Sequence, residues 1–204
     1  MKAIDLSYYI VKNAEKFSPE GITPLKLQKL IYYVYVWGIV AGKKVIEDNF
    51  EKWPYGPVNR QVYSKYKNYG KEKIMPDNSS DIILDGAEKK FVDFILSNYA
   101  KFDAVTLSAM THKESPWQNT ETNSVIDETL IKNFYSKLNF AKNFLPETKK
   151  YFYAVETDLH ACYSFDVVND SEKSFCFGSY NEYLELEEKN KRDFENGIDS
   201  FFRN

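Results

Sequence analysis

The residues with the widest chemical range in this chain are its two histidines, His112 and His160, and its two cysteines, Cys162 and Cys176. A structural zinc site needs four closely controlled ligands. Here His160 and Cys162 stand close together, Cys176 stands alone and no CxxC occurs. That pattern does not make a metal centre. Cys162 and Cys176 alternate with aromatics, as small buried hydrophobes of a strand do. Nucleophilic catalysis has no GxSxG elbow to start from. A cysteine with a distant histidine is compatible with thiol chemistry, but most chains contain that combination. The eight glycines are spread thinly and form no GxxxxGK[ST] phosphate loop. The adjacent acids Glu187 and Glu188 read as the solvated face of a charged helix. We expect no cofactor and no metal, and an enzyme using Cys162 or His112 ranks last among the readings.

Binding chemistry is better represented. The segment WPYGPV places Pro54 and Pro57 around Trp53, Tyr55 and Gly56. The prolines fix their own φ and restrict the residues before them. The result is either a rigid corner that plugs the core or a preorganised aromatic anchor for a partner. A second segment, THKESPW, brings His112, Glu114 and Trp117 together. His112 is expected just past a helix C-terminus, where a ring N–H meets free carbonyls. One reading is a latch, with His112 and Glu114 holding the loop while Trp117 docks. The other joins this loop to the WPYGP turn as one partner-binding surface, comprising Trp53, Tyr55, Pro57, Arg60, His112, Glu114 and Trp117. Between residues 52 and 73, Lys52, Arg60, Lys65, Lys67, Lys71 and Lys73 interleave with Trp53, Tyr55, Tyr63, Tyr66 and Tyr69. Such interleaving suits single-stranded nucleic acid, and also an acidic protein. Tyr66 and Tyr69 fall at core-facing spacing, which weakens the nucleic-acid reading.

These segments need elements to hold them. Ile4 to Phe17 has the spacing of one amphipathic helix, with Leu6, Ile10, Ala14 and Phe17 on its stripe. Thr23 is an N-cap and Pro24 fits the first helical position of a long apolar helix that Gly42 stops. Lys44 to Trp53 is a short strand or a loop. Pro57 to Tyr69 reads as a helix with Val58, Val62, Tyr66 and Tyr69 inward, closed by Gly70. Asp85 and Glu88 have capping-box spacing ahead of a helix carrying Phe91, Phe94, Ile95 and Tyr99. Asp103 caps a short helix through Met110. HKESPWQNTETNS is a polar loop. Leu130, Phe134, Leu138, Ala141 and Leu145 step by three or four, giving another helix.

The pattern changes after Pro146. YFYAVE, CYSFDVV and SFCFGS are short, aromatic and β-branched, and read as strands of a meander. Ser179 and Glu182 then have capping-box spacing before an acidic helix stopped by Gly197. The expected fold is mainly α, with about six helices over 1–148, and a strand–strand–strand–helix appendage over 149–204. It is α+β as a whole.

Composition narrows the class. The chain has 204 residues, 43% hydrophobic and 28% charged, enough to bury a core without disulfides. The net charge of −3 gives no global pull toward nucleic acid. Asp5 and Lys12 inside the apolar N-terminal pattern argue against a signal peptide. No run approaches the ~18 apolar residues of a membrane span. The expectation is a cytoplasmic protein with no membrane contact.

One family accounts for both binding segments. Thr23, Leu25, Lys26, Leu27, Gln28, Lys29, Leu30 and Tyr32, followed by Trp53 and by Tyr55, Gly56, Pro57 and Val58, resemble the SocA-like or Panacea domain. LSAMTHKESPW resembles that family's second element through Leu107, Ser108, Thr111, His112, Glu114, Pro116 and Trp117. The resemblance covers roughly residues 1–145. It implies a non-enzymatic bacterial or prophage antitoxin that neutralises a co-encoded toxin by direct binding, with a protease or chaperone as a further partner where relatives act as adaptors. The alternative is a DNA-associated regulator of its own operon, using the basic and aromatic face over 52–73.

Overall fold

The computed structural model describes residues 1–76, 82, 84, 86–145 and 152–157. The chain divides into two units, Met1–Glu156 and Thr157–Asn204; the first is described below. It is mainly helical with one small antiparallel sheet, α+β in class.

The fold is organised around α3, Pro24–Val40. Thr23 accepts a hydrogen bond from the Lys26 amide and Pro24 sits in the first turn, as the sequence predicts. Every residue from Pro24 to Gly38 is buried. A helix apolar on all sides belongs at the centre of a protein, and α3 touches α1 (Ala3–Lys12), α4 (Arg60–Tyr66), α5 (Gly86–Tyr99), α6 (Ala104–Lys113) and α8 (Glu128–Tyr135). Tyr33 stacks on Tyr99 with centroids 4.0 Å apart, and the Trp37 indole donates to the Tyr99 hydroxyl at 2.8 Å. Gly42, at φ +65°, ends the helix in the left-handed region open to glycine.

Four sequence readings are corrected. The N-terminal helix is two, α1 and α2 (Ala14–Phe17), because the Asn13 side chain donates to the Tyr9 carbonyl and competes with the helical ladder. Pro57 and Val58 belong to a strand, not a helix; α4 starts after Asn59, whose side chain caps the Gln61 and Val62 amides, and a 3-10 turn follows at Lys67–Tyr69. The helix capped by Asp103 runs past Met110 to Lys113, and the supposed polar loop contains a helical turn, α7, Ser115–Gln118. The last α-helix among the described residues, α8, is capped by Asp127 and ends at Tyr135, before a 3-10 turn at Asn139–Phe144. It buries Ile131 and Tyr135, one residue out of phase with the predicted stripe, and Leu138 and Leu145 are exposed.

The sheet is a hairpin. Strand β1, Glu51–Trp53, pairs with β2, Gly56–Val58, in the register Glu51↔Val58, Lys52↔Pro57, Trp53↔Gly56. Its free edge on the β1 side is covered by Asn123–Ile126, through Lys52 N–H to Ser124 O, Asn123 N–H to Lys52 O and Ile126 N–H to Phe50 O. Phe152–Thr157, the described part of the predicted meander, forms no strand. There the Asn143 side chain bonds both the N–H and the C=O of Tyr153, taking the place of a strand neighbour. The remaining predicted strands, the Ser179 cap, the acidic helix and Gly197 lie outside the described residues, as does the Asp85 cap of α5.

Candidate functional site

The hairpin turn and the α6–α7 corner meet. The Trp117 indole N–H donates to the Trp53 carbonyl at 3.2 Å. His112, in the last turn of α6 rather than past its end, has Nε2 2.7 Å from the Pro54 carbonyl and Nδ1 2.7 Å from the Ser108 carbonyl. Ser108 Oγ donates to the Tyr55 carbonyl at 2.9 Å. Burial lowers the His112 pKa, against the two carbonyls that favour its charged form. The ring can donate to both carbonyls at once only as the imidazolium, since a neutral ring has one N–H to donate; the Ser108 carbonyl also accepts from Thr111 Oγ1 at 2.7 Å.

The rings are layered with cations. His112 lies against Trp117 with centroids 4.1 Å apart, and Lys52 Nζ stands 4.4 Å from the Trp117 ring while donating to the Gln118 carbonyl. Trp53 takes the edge of Tyr63 at 4.9 Å and the Arg60 guanidinium at 5.6 Å. Trp53, Tyr55 and Trp117 are all half-buried, so none is sealed inside the protein. Pro57 and Glu114 are buried and support this surface from beneath.

Glu114 caps the end of α6 and begins α7, where its carbonyl receives the Trp117 and Gln118 amides. Its side chain accepts hydrogen bonds from the Tyr33 hydroxyl at 3.0 Å and from the Tyr135 hydroxyl. Burial raises its pKa to about 8, although both phenols and the Lys29 charge favour the carboxylate. Lys29, wholly buried on α3, donates to the Pro57 carbonyl at 2.9 Å, and burial lowers its pKa to about 7. The central helix thus holds the hairpin through Lys29 and the corner through Tyr33.

The sequence reading treated Lys26, Gln28 and Lys29 only as family marks. The structure gives each a buried polar task. Lys26 Nζ donates to Ser18 Oγ at 2.9 Å, and the Gln28 amide bonds both the N–H and the C=O of Asn59, at 2.9 and 3.2 Å. The signal was present: three long polar side chains inside an apolar helix call for partners. Glu51 was also missed. It accepts from Arg60 Nε at 2.6 Å and from the Trp53 indole at 3.0 Å, and the Arg60 bond holds its pKa below the usual carboxylate range.

The basic face over 52–73 is not one continuous strip. Tyr66 is buried with its hydroxyl against Ser7 Oγ, Tyr63 packs on Trp53, Arg60 is held by Glu51, and Lys65 stands over the Tyr8 ring. Among the described residues no group of acids, histidines or cysteines is arranged to hold a metal ion, and no helix is long and apolar enough to cross a membrane. His160, Cys162 and Cys176 lie outside those residues.

Residues 27–118 match the family model of the antitoxin SocA-like, Panacea domain. The matched stretch is narrower than the expected 1–145. It runs from within α3 to the end of α7 and contains the hairpin, the corner and Lys29. No curated protein and no solved structure matches the chain.

Proposed function

We propose that this protein is an antitoxin that neutralises a co-encoded protein toxin by covering it, without catalysis. The observation that carries this reading is the joining of hairpin and corner. Three half-exposed rings, Trp53, Tyr55 and Trp117, are held at one place by the Trp117–Trp53 and His112–Pro54 bonds, inside the segment that matches an antitoxin domain. Rings fixed before binding lose little entropy on contact, and aromatic residues dominate binding energy at protein interfaces. A specific complex of this kind buries more than about 1,000 Å², so the residues after 148 contribute a second contact that selects the toxin. Handing that toxin to a protease is a further step open to the same complex.

Co-expression with the adjacent reading frame tests the reading. The neighbour alone should arrest growth, the pair should grow, and the two proteins should co-purify. Trp53→Ala and Trp117→Ala should lose rescue while keeping the helical circular-dichroism spectrum. A harmless neighbour, or no stable complex, sinks the proposal. A toxin half-life that shortens on co-expression, only in cells with an intact protease, would add the adaptor role.

A further inference from the structure

Arg60 stands apart from the other cations of the surface. Its side chain is 63% exposed, yet it is not loose: Nε donates to Glu51 Oε1 at 2.6 Å and the guanidinium lies over Trp53. Glu51 is itself fixed, its other oxygen taking the Trp53 indole N–H. Only one of the five N–H groups of the guanidinium is used by these bonds, and its two terminal nitrogens make no hydrogen bond with a described residue. Lys52 is placed in parallel on the second indole, with one of its three donors on the Gln118 carbonyl.

We propose that Arg60, oriented by Glu51 and Trp53, reads a carboxylate on the protein partner, so that the surface selects an acidic segment. This rests on the partner-binding reading above. A planar fork with its far edge open matches a carboxylate in two parallel bonds, and a lysine cannot make that match. The cations above the two indoles complement acidic side chains that approach the rings. A nucleic-acid strand is the weaker occupant. Trp53 and Trp117 each already carry a ring and a cation where stacked bases would have to lie.

The test uses the full chain and the protein from the adjacent reading frame. Arg60→Lys keeps the charge and loses the fork; it should weaken the complex at least about tenfold with an unchanged melting temperature. Glu51→Gln separates orientation from charge. Removing a negative charge should strengthen binding to an acidic partner if only net charge matters, whereas loss of orientation should weaken it. Weaker binding by both variants, together with a partner Asp or Glu whose amide variant no longer responds to Arg60→Lys, establishes the contact. Full affinity in Arg60→Lys, or tighter binding by Glu51→Gln, overturns it while Trp117→Ala still reports on the surface. If a single-stranded oligonucleotide binds and Arg60→Gln abolishes that binding, the partner class is wrong. If no complex forms at all, the partner reading falls and this inference with it.

Discussion

Lys29 Nζ lies 2.8 Å from the point where a Cβ on Gly56 would stand, and Thr111 Oγ1 lies 2.6 Å from it. The hairpin can rest on the central helix only because residue 56 has no side chain. Its φ of +99° adds a second requirement, since L-residues with a Cβ are strained there. We expect Gly56→Ala to destabilise the protein by about 2 kcal/mol or more. Urea unfolding monitored by tryptophan fluorescence measures this. A variant within error of the parent would mean that Lys29 and Thr111 move aside freely.

The buried acid and base of this core give stability opposite slopes with pH. The Glu114 carboxyl rises from its ordinary 4.5 to about 8 in the folded chain, so from pH 4.5 to 8 the folded state holds a proton that the unfolded state has released. Its contribution therefore becomes less favourable as pH rises through that window. Lys29 falls from 10.5 to about 7, so the unfolded state holds the extra proton between those values and stability recovers as pH rises. The pair together predicts a minimum near neutrality. Relative to the parent, Glu114→Gln should flatten the limb below pH 7 and Lys29→Met the limb above pH 8. Superimposable urea midpoints across pH for parent and variants would refute the assignment.

Gln28 stands in for a strand neighbour by bonding both backbone groups of Asn59. Gln28→Leu keeps the approximate volume but leaves the buried Asn59 N–H unsatisfied, at about 1–3 kcal/mol, while the Asn59 carbonyl keeps the Tyr63 amide at 3.0 Å. The predicted outcome is a loss of about 1–3 kcal/mol, with faster amide exchange at Asn59 than in the parent. Unchanged exchange there would show that water or another group replaces the amide.

Truncation separates fold from partner choice. Phe152 meets the edge of Phe94 at 6.1 Å, and Tyr153 bonds Asn143, so residues up to Glu156 belong to the helical unit. A chain ending at residue 157 should melt like the full protein, while one ending at 148 should lose about 1–2 kcal/mol with those contacts. On the proposed antitoxin reading, both should bind the toxin more weakly or with changed selectivity. Full neutralisation by the 1–157 chain would remove the selecting role assigned to the remainder.

The sequence made the helix boundaries legible where a cap names itself. Thr23–Pro24, Gly42 and Asp103 act through local backbone chemistry that needs no tertiary partner. It made the hairpin hard to see, since strands of three residues are too short for alternation to register, and Pro57 looks like a helix start. The inward face of α8 was misplaced because Leu130 and Phe134 flank the true stripe of Ile131 and Tyr135. Trp53, Tyr55 and Trp117 stood out as ring types beside prolines. Of what supports them, Glu114 stood out beside His112, but Lys29 and Gln28 did not, because periodicity assigns lysine and glutamine outward, whereas both point in and are satisfied by the Pro57 carbonyl and by the backbone of Asn59.

Both borders of the hairpin are spoken for. Asn123–Ile126 lies along one, and on the other Lys29 and Gln28 occupy Pro57 and Asn59. An incoming chain therefore finds no backbone ladder to extend on this hairpin and meets it through its side chains. On the proposed antitoxin reading, exchanging a few surface rings and charges would redirect the protein to a different adversary while the scaffold below stays as it is.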